Sequence, residues 1–121
     1  MNKELKQAIL RDSGISDTSV VPVRRIREDR PVRKLEVKVL RRYPPRLISS
    51  RKWTGRVAAA CGRDDTGVIG LVLWDDQVDQ VATGDTVIIR NGWCKRRMGE
   101  RVVSTGRSGS LVVRNHSESL S

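Results

Sequence analysis

Trp53, Trp74, Trp93 and Tyr43 hold all the aromatic surface of this chain, which has no phenylalanine. Trp74 closes an unbroken apolar run from Val68, the pattern of a strand covered on both faces. Strand side chains alternate, so Ile69, Leu71 and Leu73 share one face, and Val68, Gly70, Val72 and Trp74 share the other. The second face is the unusual one, because its glycine leaves open floor and an indole stands at its end. A flat platform with one aromatic suits stacking against a nucleobase. Trp93 follows Gly92 and precedes Cys94-Lys95-Arg96-Arg97, so a second indole lies beside a cluster of cations. The chemistry on offer is binding, with π faces for bases and Arg or Lys for phosphates.

Covalent chemistry has little to work with. Asp65-Thr66-Gly67 matches the tripeptide of aspartic proteases. However, Arg63-Asp64 stand where an apolar strand should precede it, and Val68 where a small residue should follow. A hairpin turn explains the same residues, since aspartates fold back on the local backbone and Gly67 can supply a positive φ. Asp75 and Asp76 read as caps for a helical turn, not as a metal pair. Cys61 and Cys94 lie far apart and fit no metal-ligand spacing, and His116 is the single histidine. No metal site, no cofactor and no activated nucleophile are expected, so the chain reads as a non-enzyme. Both cysteines fit as small, partly buried strand residues.

The 24 Lys and Arg against 14 Asp and Glu leave a net charge of +10 in 121 residues. That balance implies an anionic partner, either nucleic acid or an acidic membrane. No apolar run approaches the roughly 18 residues of a membrane span. The opening MNKELKQAILRDSG lacks the apolar core of a secretion signal. A cytoplasmic protein is therefore expected, nucleoid-associated, or nuclear in a eukaryote.

These side chains need a frame. Lys3 to Arg11 reads as a short helix ended by Ser13-Gly14, and Ile15 to Val23 as an extended lead-in. VRRIREDRPVRK (Val23 to Lys34) is a mixed-charge arm, either solvated or in contact with phosphates. Leu35, Val37 and Val39 alternate with Glu36 and Lys38 in a half-buried strand. RRYPPRLISSRK reads as a loop, because Pro44-Pro45 excludes regular pairing. Alternation resumes from Trp53 to Cys61, and the turn and the platform strand follow. A helical turn spans Gln77 to Val81 and stops at Thr83-Gly84. Thr86 to Trp93 is the next strand, with a bulge expected at Asn91-Gly92. CKRRMGER forms a tight basic hairpin around Gly99, then Val102 to Thr105 a last short strand. Leu111 to Val113 can add one more pairing, and the Ser-rich end from Asn115 reads as disordered.

Five strands of this size, all β apart from short helical pieces, close most naturally as a Greek-key barrel of the oligonucleotide-binding (OB) type. An SH3-like barrel is the alternative. The expected layout is residues 1–34 as N-terminal helix and basic extension, 35–114 as barrel, and 115–121 as tail.

The succession KLEVKVL, DDTGVIGLVLWDD, ATGDTVIIRNGW and RRMGERVVSTGRSG resembles the simple single-stranded-DNA-binding proteins of archaea. It is also similar to their eukaryotic counterparts and to the OB domains of replication protein A. The resemblance runs from about Leu35 to Gly109 and rests on the order Asp-x-Thr-Gly, strand, Trp-Asp, Gly-Asp, strand. It implies single-stranded nucleic acid lying across strands two, three and four, with bases stacked on aromatics at strand ends. Trp74 and Trp93 match two such positions. Arg97 and Ser104 stand where the family commonly has further aromatics, a departure expected to weaken binding or to shift it toward phosphate contacts. Arg97 can itself stack on a base.

The candidate contacts are thus Trp74 and Trp93 as platforms, with Trp53 at the core or the groove edge and Tyr43 in the first long loop. Arg46, Arg51 and Lys52 flank the face from that loop. Arg56 and Arg90 occupy polar strand positions. Lys95, Arg96 and Arg97 form the hairpin tip, and Arg107 sits in the final glycine-rich turn. The expected partner is single-stranded DNA, in replication or repair. RNA in a ribosome or other ribonucleoprotein, and protein partners in a replication-protein-A-like complex, are the alternatives.

Overall fold

The computed structural model describes residues 19–106 and 108–114. The helix expected at Lys3 to Arg11, Arg107, and the tail from Asn115 lie outside the described residues. The described residues form seven strands: β1 (Arg30–Arg42), β2 (Arg46–Ser49), β3 (Thr54–Asp64), β4 (Gly67–Trp74), β5 (Thr86–Arg97), β6 (Glu100–Ser104) and β7 (Ser110–Arg114). Helix α1 (Asp76–Gln80) joins β4 to β5. β1 pairs antiparallel with both β3 and β5, β3 with β4, and β5 with β6, while β4 and β6 run parallel. That ring of five closes a Greek-key OB barrel, with β2 added to β3 and β7 added to β5.

The alternation that predicts the first strand holds. Leu35, Val37 and Val39 point into the core with Ala58, Ala60, Ile69, Leu71, Leu73, Val87, Ile89, Cys94 and Val103. Its length differs, because Arg30 to Lys34 pair with Cys94 to Arg90 and so extend β1 backward. The register against β3 slips by one between Val39 and Arg41. The extra residue, Leu40, bends the strand from one partner toward the other.

The segment before β1 is built into the barrel rather than projecting as an arm. A 3-10 turn at Val23–Arg25 sends Val23 and Ile26 into the core. Arg101 Nη1 donates to the carbonyls of Val23 and Ile26, each at 2.7 Å. The β3–β4 turn holds the same segment from below, since Asp64 Oδ2 accepts the Val23 N–H at 2.9 Å. Asp64 Oδ1 meanwhile accepts from the Thr66 N–H, the Thr66 hydroxyl and the Gly67 N–H. This aspartate closes the turn, and the positive φ expected at Gly67 is not used. Gly67 is small for a different reason: a Cβ there would press on Val23 Cγ1 at 3.3 Å.

Two further expectations change. The segment read as one loop contains β2, because Pro44-Pro45 breaks pairing only locally and Arg46–Ser49 then pair with Val57–Thr54. Of the two aspartates expected to cap α1, Asp75 stands at the N-cap position, but its side chain makes no cap hydrogen bond. Asp75 adopts φ 47°, and its Oδ1 accepts the Arg56 N–H at 2.9 Å instead. Strand β4 thus ends in a bend fastened to β3.

Candidate nucleic-acid interface

The three tryptophans line one cleft of about 1060 Å³ on the outside of the barrel. Each reaches it by a different route. Trp74 lies on the outer face of β4, directly opposite Val57 of β3, as its alternation predicts. Its backbone N–H donates to Gln77 Oε1 at 3.1 Å, and Gln77 Nε2 donates to the Thr105 hydroxyl at 3.1 Å. One side chain of α1 therefore ties together two residues that line the cleft.

Trp53 precedes β3, and its N–H and carbonyl are both held by Ser50. Its ring lies across Gly55, where a Cβ would collide with the indole. It meets the Trp74 ring edge to face, with centroids 5.4 Å apart and planes at 77°. Such a pair fixes both rings, because the positive edge of one faces the negative π surface of the other.

Trp93 depends on a break in alternation. Val87 and Ile89 face the core, and a strict period of two would put Trp93 there as well. Instead Arg90 and Asn91 are both exposed, and the inward set resumes at Gly92 and Cys94. Asn91 takes a left-handed φ of 55°, where β5 passes from pairing with β7 to pairing with β6. The facing strand makes the same shift: Val32 and Leu35 point inward, so the pairing register survives. Trp93 and Lys95 consequently face outward. The bulge expected at Asn91-Gly92 is realised as this coordinated break in two strands, without a slip in register. Gly92 is required because a Cβ would meet Ser104 O and Ile89 Cγ2 at 2.8 Å.

Of the sequence-predicted residues, Trp53, Trp74, Trp93 and Lys95 line the cleft. Arg46 is exposed on β2, and Arg51 and Lys52 are exposed in the bend before β3. Tyr43 lies under Arg41, whose guanidinium carbon is 5.5 Å from the ring centroid. Arg90 is exposed opposite Lys34. Arg96 turns away from Lys95 toward Glu28, at 3.4 Å, and Arg97 begins the hairpin tip. Arg56 is drawn to α1, donating to both Asp79 oxygens and, at 3.3 Å, to Asp75 O. The hydrogen bond and charge of Asp79 raise the Arg56 pKa, and the same contact holds the Asp79 carboxyl below the usual range.

Sequence reasoning missed Pro31 and Val32 on β1, and Asn91, Thr105 and Ser108 on the far wall; Arg33, read only as part of the mixed-charge arm, lines the cleft as well. The Pro31-Val32 pair inside a charged run was the available signal for an earlier strand start. Ser104, noted only for the aromatic it replaces, faces Trp93 across the β5–β6 ladder. Burial pushes the Cys94 thiol pKa up, as its core position requires. Among the described residues no group of His, Cys, Asp and Glu could hold a metal ion, and no helix is long and apolar enough to cross a membrane.

The family model described as single-stranded DNA binding protein Ssb-like, OB fold, matches residues 28–111. No curated protein matches the chain. Among solved structures it is similar to a replication factor A related protein from Methanobacterium thermoautotrophicum. The TM-score is 0.67 at 18% identity, covering 81% of this chain and 93% of that one. A domain of replication protein A from Methanococcus maripaludis gives 0.65 at 20% identity, covering 80% and 97%. A replication protein A heterotrimer bound to single-stranded DNA gives 0.62 at 14% identity, covering 82% of this chain and 25% of that chain.

Proposed function

Because the chain belongs to the Ssb-like family of single-stranded-DNA-binding OB-fold proteins, we propose that it binds single-stranded DNA through the tryptophan cleft, in replication or repair. The observation that carries this reading is the convergence of Trp53, Trp74 and Trp93 on one open cleft with Lys95 at its side. Bases stack on indole faces without regard to identity, each contact contributing about 1–3 kcal/mol. Trp93 offers the most accessible face, being 39% exposed. Trp74, braced by Trp53 and Gln77, offers a rigid one. Lys95 and the surrounding cations draw the backbone in by releasing condensed counterions, so binding is strong at low salt and sequence-tolerant. Such a module acts by sequestering a strand, and no bond is made or broken.

The test is an anisotropy titration with single-stranded DNA, single-stranded RNA and duplex of matched length, at two salt concentrations. Preference for single-stranded DNA that persists at the higher salt supports the proposal. Preference for RNA would transfer the chain to a ribonucleoprotein role. Binding to all three that disappears with salt would reduce the cleft to a bystander.

A further inference from the structure

We infer that the interface continues beyond the tryptophan cleft into a second, phosphate-binding recess formed by Arg25, Arg27 and Arg30. This deepens the single-strand-binding reading and rests on it. The recess has a volume of about 250 Å³ and a floor of Val21, Ile26 and Val32. Pro31 and Val32 line both it and the main cleft, so a strand leaving the face of Trp93 over its Cα partner Pro31 runs directly into it.

Three arginines surround this hollow, and their charge is not cancelled locally. The ion pairs among the described residues engage Arg56, Arg96 and Arg114, and leave these three unpaired. The nearest acids by sequence are Glu28 and Asp29. Glu28 is committed to Arg96 at 3.4 Å. Asp29 is an exposed turn residue, held through its backbone N–H to Cys94 O at 2.8 Å. The backbone presenting the arginines is fixed, with Val23 and Ile26 in the core and their carbonyls clamped by Arg101. Guanidiniums carried by a fixed backbone over an apolar floor fit the phosphodiester oxygens of a strand passing over it, because they pair with phosphate in a planar, two-bond geometry. The recess holds no aromatic ring, so it reads backbone and not base.

The test uses oligothymidylates of about five and about nine nucleotides, bracketing the cleft and the cleft plus recess. A second set replaces the extra nucleotides with abasic phosphodiester units at the 5′ or the 3′ end. Wild-type protein should gain about tenfold in affinity from short to long, with a comparable gain when abasic units extend one particular end. The variant R25A/R27A/R30A should bind the short oligomer as wild type does and lose most of the gain. Its slope of log K against log salt on the long oligomer should fall by about 2, from three lost phosphate contacts at about 0.7 each on a single strand. K38A/R63A/R114A removes the same charge elsewhere and should keep the gain, and thermal unfolding verifies that both variants are folded. An undiminished gain in R25A/R27A/R30A overturns the inference while leaving the cleft intact. Failure of wild type to bind the short oligomer, or short binding indifferent to Trp74 and Trp93, overturns the cleft reading itself.

Discussion

The Trp53 ring meets the Trp74 ring edge to face, at 5.4 Å between centroids and 77° between planes. Two residues 21 positions apart thereby become one rigid aromatic unit, with Gly55 kept small to admit it. Removing either partner should free the other. If Trp74 is the stacking platform, W74A lowers affinity for single-stranded DNA by roughly tenfold, the worth of one base stack. W53A should lower it by less, through loss of orientation. A double-mutant cycle should give a coupling of about 0.5–1.5 kcal/mol, the range of such ring pairs. Strict additivity would show that Trp53 does not position Trp74.

Trp93 should depend on a residue that is not aromatic. Asn91 holds φ 55°, which glycine and asparagine adopt cheaply and a β-branched residue does not. N91G should leave binding and stability nearly unchanged, whereas N91V should lose about 1–2 kcal/mol of stability and weaken binding. Indole fluorescence quenching by acrylamide reports whether Trp93 stays exposed. An N91V protein equal to wild type in all three readouts would contradict the assigned role.

Gln77 connects Trp74 to Thr105, whose side chain is otherwise nearly excluded from solvent. Q77A should leave that hydroxyl poorly satisfied and cost about 1–3 kcal/mol on chemical unfolding. Amide exchange at Trp74 should accelerate in Q77A, because its N–H loses its acceptor.

Acid should loosen the N-terminal segment. Burial alone would raise the Asp64 pKa, but the hydrogen bonds from Thr66, Val23 and Gly67 outweigh it and leave the pKa below the ordinary value. A carboxylate depressed on folding stabilises at pH values above its unfolded pKa, near 3.9, and that contribution is lost as the pH falls through the folded value. Thermal stability should therefore drop below about pH 4. Exchange at the Val23 amide should rise in the same window. D64N should be less stable at pH 7 and should show a smaller acid-induced drop. A D64N profile parallel to wild type at every pH would refute the assignment.

Arg56 is occupied by Asp79 and by Asp75 O. R56A should therefore leave the salt slope of DNA binding unchanged, while K95A should lower it by about 0.7, the value of one contact to a single strand. Titrations at four or five salt concentrations separate the two. A reduced slope for R56A would mean that the guanidinium abandons Asp79 for the ligand.

Much of the barrel was legible in local pattern. Leu35, Val37 and Val39 alternate because one face of their strand is buried. The run Val68 to Trp74 is apolar because Ile69, Leu71 and Leu73 enter the core while Val72 and Trp74 on the other face lie opposite Ala59 and Val57; Val68, opposite Arg63, is exposed. Asp64 and Thr66 mark their turn because short polar side chains bond back to nearby N–H groups, although the aspartate and not Gly67 does the work. The tight hairpin around Gly99 is equally local, with Met98 and Gly99 both at positive φ. These features depend on residues a few positions apart, so the sequence by itself determined them. Tertiary structure alone decided which side chains meet. Trp93 faces outward only because two strands break their alternation at facing positions. Trp53 reaches Trp74 only across Gly55. Arg56, at a polar strand position, is claimed by a helix acid 23 residues later. The backbone that carries Arg25 and Arg27 is held because Asp64 and Arg101, 41 and 78 residues from Val23, grip the Val23 N–H and carbonyl. A period of two states that a strand has two faces. Only the closed barrel, by pairing residues distant in sequence, states which face is core and which is open to a ligand.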